Sequence, residues 1–218
     1  MKILAIEGAL ARCSAAVLVD GAVAASAMED AARGHPSLLP SMAQAVLARA
    51  TLRATALDAV AVGVGPGGFT GLRAAIALAE GIARGAGLPL IGVTTGEALA
   101  AALPDSDLRG GEVWAAVDNR RGRVVLECFP PGAEEPQPPL VASLDDLPAA
   151  ATPLLILGDA AAAVAEVLFA RRAAVTARPG LPDAVAVARV AARRLAGTLP
   201  PRTGAPLYAE PPAVKTPA

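Results

Sequence analysis

The chain has 218 residues, enough for one large domain or two small ones, and its 54% hydrophobic content is ample for a buried core. A net charge of −1 and only 2% aromatic residues argue against a global attraction to nucleic acid and against a broad base-stacking surface. Lys2 and Lys215 are the only lysines, so arginine carries nearly all the positive charge, a bias of composition rather than of nucleic-acid chemistry.

From the N-terminus, Lys2 to Glu7, Ser14 to Asp20 and Val23 to Met28 are short apolar runs split by small-residue turns, which predicts three antiparallel strands. Glu7 and Arg12 interrupt the first apolar stretch too early for a secretory leader. Leu38, Leu39, Met42, Val46 and Leu47 recur at helical spacing behind Pro36, so a helix is predicted from about Pro36 to Ala50. Asp58 to Val64 reads as a buried strand and Thr70 to Arg84 as a helix stopped by Gly85 and Gly87. A strand over Leu88 to Val93 follows, then a helix over Thr94 to Leu103, with Thr94 or Thr95 as its cap and Glu97 in its first turn. The order β-β-β-α-β-α-β-α predicts a mixed sheet with helices on its faces.

Beyond Pro104 the pattern restarts in weaker form. Strands over Glu112 to Asp118 and Arg123 to Phe129 flank a turn at Asn119 to Gly122, and a Pro-rich loop fills Pro130 to Pro139. A strand over Pro153 to Leu157, a helix over Asp159 to Ala170, a short strand over Ala173 to Thr176 and a helix over Pro182 to Ala196 complete the set. The expected organisation is an N-terminal lobe over 1–103, a degenerate C-terminal lobe over 104–198 and a Pro-rich tail over 199–218 without regular structure. No stretch matches the roughly 18 uncharged apolar residues of a membrane helix. Cys13 and Cys128 suit reduced thiols, and the expected setting is cytoplasmic, away from membranes.

Chemistry concentrates at Val62 to Arg73, where four glycines and Pro66 join a strand to a helix. Such a turn can hold a phosphate, shape an interface or simply turn a corner, because its backbone N–H groups have little bulk around them. Gly63-x-Gly65-x-x-Gly68 has dinucleotide spacing, yet no acid follows at the end of the next strand, and no Gly-Lys-Ser/Thr exists for a P-loop. Glu7, Gly67, Gly68 and Thr70 are the candidate nucleotide-binding residues. His35 is the only histidine, which excludes every two-histidine metal site; a triad through it is open, but capping or packing at the helix start is the favoured role. Arg120, Arg121 and Arg123 beside Asp118 read first as a solvated hairpin tip. The helix pair Pro36 to Ala50 and Gly71 to Arg84 is apolar enough either to pack inside or to leave a patch for a partner.

Gly65-Pro66-Gly67-Gly68-Phe69-Thr70-Gly71-Leu72-Arg73 resembles the G-P-G-S-F-T-G-L-R motif of the TsaB/YeaZ family. Further matches lie at Ile3 to Glu7, His35-x-x-Leu38-Leu39-Pro40, Gly92-Val93, Glu97-Ala98-Leu99, Asp118-x-Arg120 and Pro206-x-Tyr208. The resemblance implies an α/β fold of two tandem actin/Hsp70-like (ribonuclease H-like) lobes, the second truncated. It also implies a non-catalytic scaffold, with no catalytic or metal site of its own, in the formation of threonylcarbamoyladenosine at position 37 of tRNA. The implied partners are a TsaD-type catalytic subunit, a TsaE-type ATPase and a second copy of the chain, with tRNA met indirectly and ATP or ADP held, if at all, at an interface. Leu38, Leu39, Met42, Val46, Phe69, Leu72, Arg73, Ala75, Ile76 and Ala79 are then the expected partner-facing residues. Glu7-Gly8-Ala9 stands where the family has Asp-Thr-Ser, which removes two hydroxyls from the first turn. The alternative is an autonomous nucleotide-binding phosphotransferase or ATPase of the same fold.

Overall fold

A computed structural model describes residues 1–31, 33–108, 110–150, 153–171 and 173–210. The first half runs β1 (Lys2–Glu7), β2 (Arg12–Val19), β3 (Ala22–Asp30), α1 (His35–Arg49), β4 (Ala59–Gly65), α2 (Phe69–Ala86), β5 (Leu90–Thr94) and α3 (Thr95–Ala101). Its strands form a sheet in the order β3-β2-β1-β4-β5, with β1 antiparallel to β2 and parallel to β4. Alternation along each strand divides the side chains between two faces. Leu4, Ile6, Val17, Val60 and Val62 pack under α1 and α2, whereas Ile3, Ala5, Leu18, Ala59 and Val93 face the opposite way.

Local chemistry sets the helix limits. Pro36 occupies the first turn of α1, where a missing N–H costs nothing. Gly87 ends α2 in the left-handed conformation, φ 69°. Thr94 is the cap of α3: its side chain accepts the Glu97 N–H while the Glu97 carboxylate accepts the Thr94 N–H.

The second half repeats this topology. It comprises a short α4 (Asp105–Leu108), β6 (Glu112–Asp118), β7 (Val124–Phe129), β8 (Leu140–Ala142), β9 (Leu154–Leu157), α5 (Ala161–Ala170), β10 (Val175–Arg178) and α6 (Ala184–Leu195). The sheet order β10-β9-β6-β7-β8 equals that of the first sheet when β6 is matched to β1. The expected pair of actin-like lobes is therefore present. Truncation is visible where α1 has its counterpart: one 3-10 turn, Leu144–Asp146, stands there. α4 and β8 have no counterpart in the sequence-based expectation.

The helices are exchanged between lobes. α6, assigned by sequence to the second half, buries Val187, Ala188 and Ala191 against Ile3, Ala5 and Leu18 of the first sheet. Reciprocally, Leu99 of α3 packs with Val113, Ala115, Phe129 and Leu157 of the second sheet. Sequence position alone therefore misplaces α6, because its apolar face matches the bare side of a sheet formed 170 residues earlier, where the Ala184 N–H donates to Ser14 Oγ. After α6 the tail returns along the first lobe: the Gly92 N–H donates to Arg202 O and the Leu207 N–H to Val64 O. Glu210 then reaches Arg123 of the second lobe at 2.9 Å. Positions 211–218 of the expected tail lie outside the described residues.

Candidate functional site

Two clefts separate the lobes. The front cleft, about 630 Å³, lies between the glycine loop, the tip of the β6–β7 hairpin and the tail. The back cleft, about 550 Å³, lies between α3, α6 and the loop after β7.

The front cleft is where two equivalent hairpin turns, β1–β2 and β6–β7, approach each other. In each turn several backbone donors are taken by the chain itself. The Ala9 N–H donates to Glu7 Oε1 at 2.5 Å, and the Gly68 N–H donates to Ala9 O at 2.6 Å. A Cβ on Gly67 would stand 2.3 Å from Ala9 O, so the loop is pressed onto the first turn. Across the cleft the Arg120 N–H is held by Asp118 Oδ1 at 2.7 Å, and the N–H groups of Arg121 and Arg123 by Asn119 Oδ1 at 2.9 and 3.1 Å. A phosphate cradle needs such amides free and converging. The Ala9, Gly68, Arg120, Arg121 and Arg123 amides are therefore already committed, and Gly67 is packed against the first turn.

Glu7, proposed for nucleotide binding, lies behind that corner and is fully buried over Gly63, whose Cβ would overlap its Oε2. Burial pushes its carboxyl up to about 7, against the lowering effect of the Ala9 and Gly8 amides, and Oε2 has no partner. Gly67, Gly68 and Thr70 stay exposed at the cleft margin, so the four candidates do not converge on one point.

The expected partner-facing set divides in two. Leu39, Val46, Leu72, Ala75 and Ala79 are core, each at most 1% exposed, and are corrected here to packing residues. Leu38, Met42 and Ile76 are half-buried, and Phe69 and Arg73 are exposed. The outward face of α2 is instead Ala77, Gly81, Arg84 and Gly85, half a turn from the expected one. Phe69 and Arg73 belong to the front cleft: the Arg73 guanidinium lies 3.7 Å over the Phe69 ring, and its Nε donates to Tyr208 Oη at 2.9 Å.

Between the clefts sits a buried polar hub absent from the sequence-based list. Arg194 of α6 holds Glu97 of α3 through two bonds, at 2.6 and 3.2 Å, with both side chains 2% exposed. Glu127 of β7 accepts the Gly96 N–H at 2.6 Å. Burial pushes the Glu127 carboxyl up to about 7, opposed by hydrogen bonds from Thr94 and Gly96. The available signal was an acid inside the apolar strand Val124–Phe129, which must be either an error of assignment or a buried group with a partner.

Neither the single histidine nor either cysteine is set up as a hydrolytic nucleophile. His35 is buried with Nε2 2.8 Å from Leu10 O, and burial raises the Cys13 and Cys128 thiols to about 11 and about 12. Among the described residues no group of three or more His, Cys, Asp or Glu is placed to hold a metal, and no helix is long and apolar enough to cross a membrane.

Residues 27–127 match the family TsaD: tRNA N6-adenosine threonylcarbamoyltransferase. The tRNA threonylcarbamoyladenosine biosynthesis protein TsaB of Escherichia coli is 40% identical over 126 residues, which cover 57% of this chain and 53% of the relative. The chain spans about half the length of the curated relatives it matches. Over nearly the whole fold it superposes on an uncharacterized Pseudomonas aeruginosa protein with similarity to peptidase YEAZ, with TM-score 0.80 and 25% identity, covering 96% of this chain and 99% of that one. The chain is thus similar to TsaB over part of its length and to YeaZ proteins over nearly the whole fold. The TsaB relatives carry the name of tRNA threonylcarbamoyladenosine biosynthesis proteins. The activator of the 2-hydroxyisocaproyl-CoA dehydratase of Clostridium difficile, solved with bound ADPNP, shares the fold at TM-score 0.52 and 8% identity, covering 91% of this chain and 97% of that one.

Proposed function

We propose that this protein is a non-catalytic subunit in the formation of threonylcarbamoyladenosine on tRNA, pairing with a TsaD-type catalytic subunit and serving a TsaE-type ATPase in the cytoplasm. The observation that carries the reading is the outward face of α2. Ala77, Gly81 and Gly85 form a small-residue strip beside the exposed Arg84–Glu80 pair, and a Cβ at Gly81 or Gly85 would meet nothing. A glycine inside an exposed helix costs about 1 kcal/mol relative to alanine. Two of them with no contact inside the chain make sense where another helix packs closely. Leu78 and Ile82 border the strip and Leu38 and Met42 lie on the neighbouring α1, all half-buried. The same surface would serve a homodimer when the protein is alone. ATP or ADP would be held jointly with a partner, because the Ala9, Gly68, Arg120, Arg121 and Arg123 amides of the front cleft are already bonded within the chain.

The test is co-purification with the TsaD-type subunit. Gly81→Arg is expected to abolish the complex while thermal melting of the isolated protein stays unchanged. Gly81→Ala is expected to raise the stability of the isolated protein by about 1 kcal/mol. A complex that survives Gly81→Arg, or tRNA modification that proceeds fully without this protein, would sink the reading.

A further inference from the structure

We propose that the front cleft is a binding site for single-stranded RNA, on which Phe69, Arg73 and Tyr208 stack bases and Arg120 and Arg121 meet phosphates; this rests on the reading above that the chain serves a tRNA-modifying assembly. The chain has only five aromatic residues, and two of them stand at this one cleft with exposed rings, Phe69 at 57% and Tyr208 at 46%. Core packing cannot explain them there. Arg73 joins the two, stacked on one and hydrogen-bonded to the other, so a guanidinium plane extends the ring surface. Aromatic rings and guanidinium planes are the platforms on which unpaired bases stack.

The charges of the opposite wall are layered. Arg120, Arg121 and Arg123 reach outward, 69, 61 and 58% exposed. Their carboxylate partners lie deeper: Asp159 at 15%, Glu210 at 25% and Asp118 at 42%. A ligand arriving from solvent therefore meets cations first, although the whole chain carries a net charge of −1. A free nucleotide fits less well, because the Gly68, Arg120 and Arg121 amides are already bonded to Ala9 O, Asp118 and Asn119. Side-chain arginines on a rim with rings beside them suit a backbone that passes through the cleft.

The test is fluorescence anisotropy of a fluorescein-labelled, unmodified tRNA transcript titrated with the protein. Saturable binding that weakens with salt is expected. The double variant Arg120→Ala, Arg121→Ala should weaken it about tenfold and make the salt dependence shallower by about two phosphate contacts. Phe69→Ala should weaken it about tenfold with the salt dependence unchanged. All these residues are exposed, and unchanged melting curves would confirm that the variants fold. Absence of binding by the wild type, variants that bind like it, or displacement of the RNA by micromolar ATP would overturn the proposal. Co-purification with the TsaD-type subunit, run on the same proteins, reports the assembly separately: variants that lose RNA but keep the partner support the site. A wild type that binds RNA but no partner would overturn the assembly while leaving the cleft an RNA site.

Discussion

Charges bridge the two lobes at the front cleft and at the hub, and burial makes these two bridges different devices. At the front, Arg123 and Glu210 join hairpin to tail at a surface where water competes for both. In the hub, Arg194 and Glu97 meet with their side chains almost wholly withdrawn from solvent. Exposed pairs contribute about 0–1 kcal/mol, whereas removing one partner of a buried pair leaves a charge that nothing solvates. The front cleft can therefore change its contacts at little energetic cost, and the hub cannot.

The largest expected effect lies in the hub. Arg194→Ala should destabilise the protein by about 3–5 kcal/mol in urea titration, since buried Glu97 would keep only the more distant Arg202, at 3.9 Å, as a counter-charge. Adding Glu97→Gln should recover part of that loss by removing the weakly paired charge. A cost below about 1 kcal/mol for Arg194→Ala would erase the distinction between the two places.

Next comes pH. Glu127 has its folded pKa raised from 4.5 to about 7, so the folded state favours its protonated form. That contribution to stability is fully present below pH 4.5 and is lost as pH rises through about 7. Glu127→Gln should remove this decline, so its stability relative to the wild type grows between pH 5 and pH 8 in denaturant titrations. A constant difference across that range would show that the carboxyl titrates normally.

The smallest effect belongs to the front. Arg123→Ala should change stability by less than about 1 kcal/mol, and by less still in high salt, as melting curves at two ionic strengths can report.

Much of the fold was legible in the sequence because buried strands carry dense apolar runs. β6 has the same limits in the structure, Glu112–Asp118, as in the sequence reading, and the Thr94–Glu97 box marks the start of α3. β8 escaped because three residues behind a Pro-rich loop carry no periodicity. The home of α6 escaped because helical periodicity identifies an apolar face but not the sheet that it covers. The phase of α2 escaped for a related reason. Small residues occupy both of its sides, so Ala75 and Ala79 look like Ala77 and Gly81 until the sheet beneath fixes which pair is inward. Phe69, Arg73 and Tyr208 were each visible as motif residues. Their meeting depends on the return of the tail, a contact across 135 positions.

The exchange of helices means that the protein is tied together like two clasped hands. A break in the chain between α3 and β6 would give one piece holding the first sheet without the helix that covers its inner face, and another holding that helix with a sheet bare on the side α3 protects. Neither fragment is self-sufficient, yet each carries what the other lacks. Co-expressed, the two pieces should assemble as an obligate heterodimer and be soluble only together, which makes the α3–β6 connection a natural point for a split-protein complementation design.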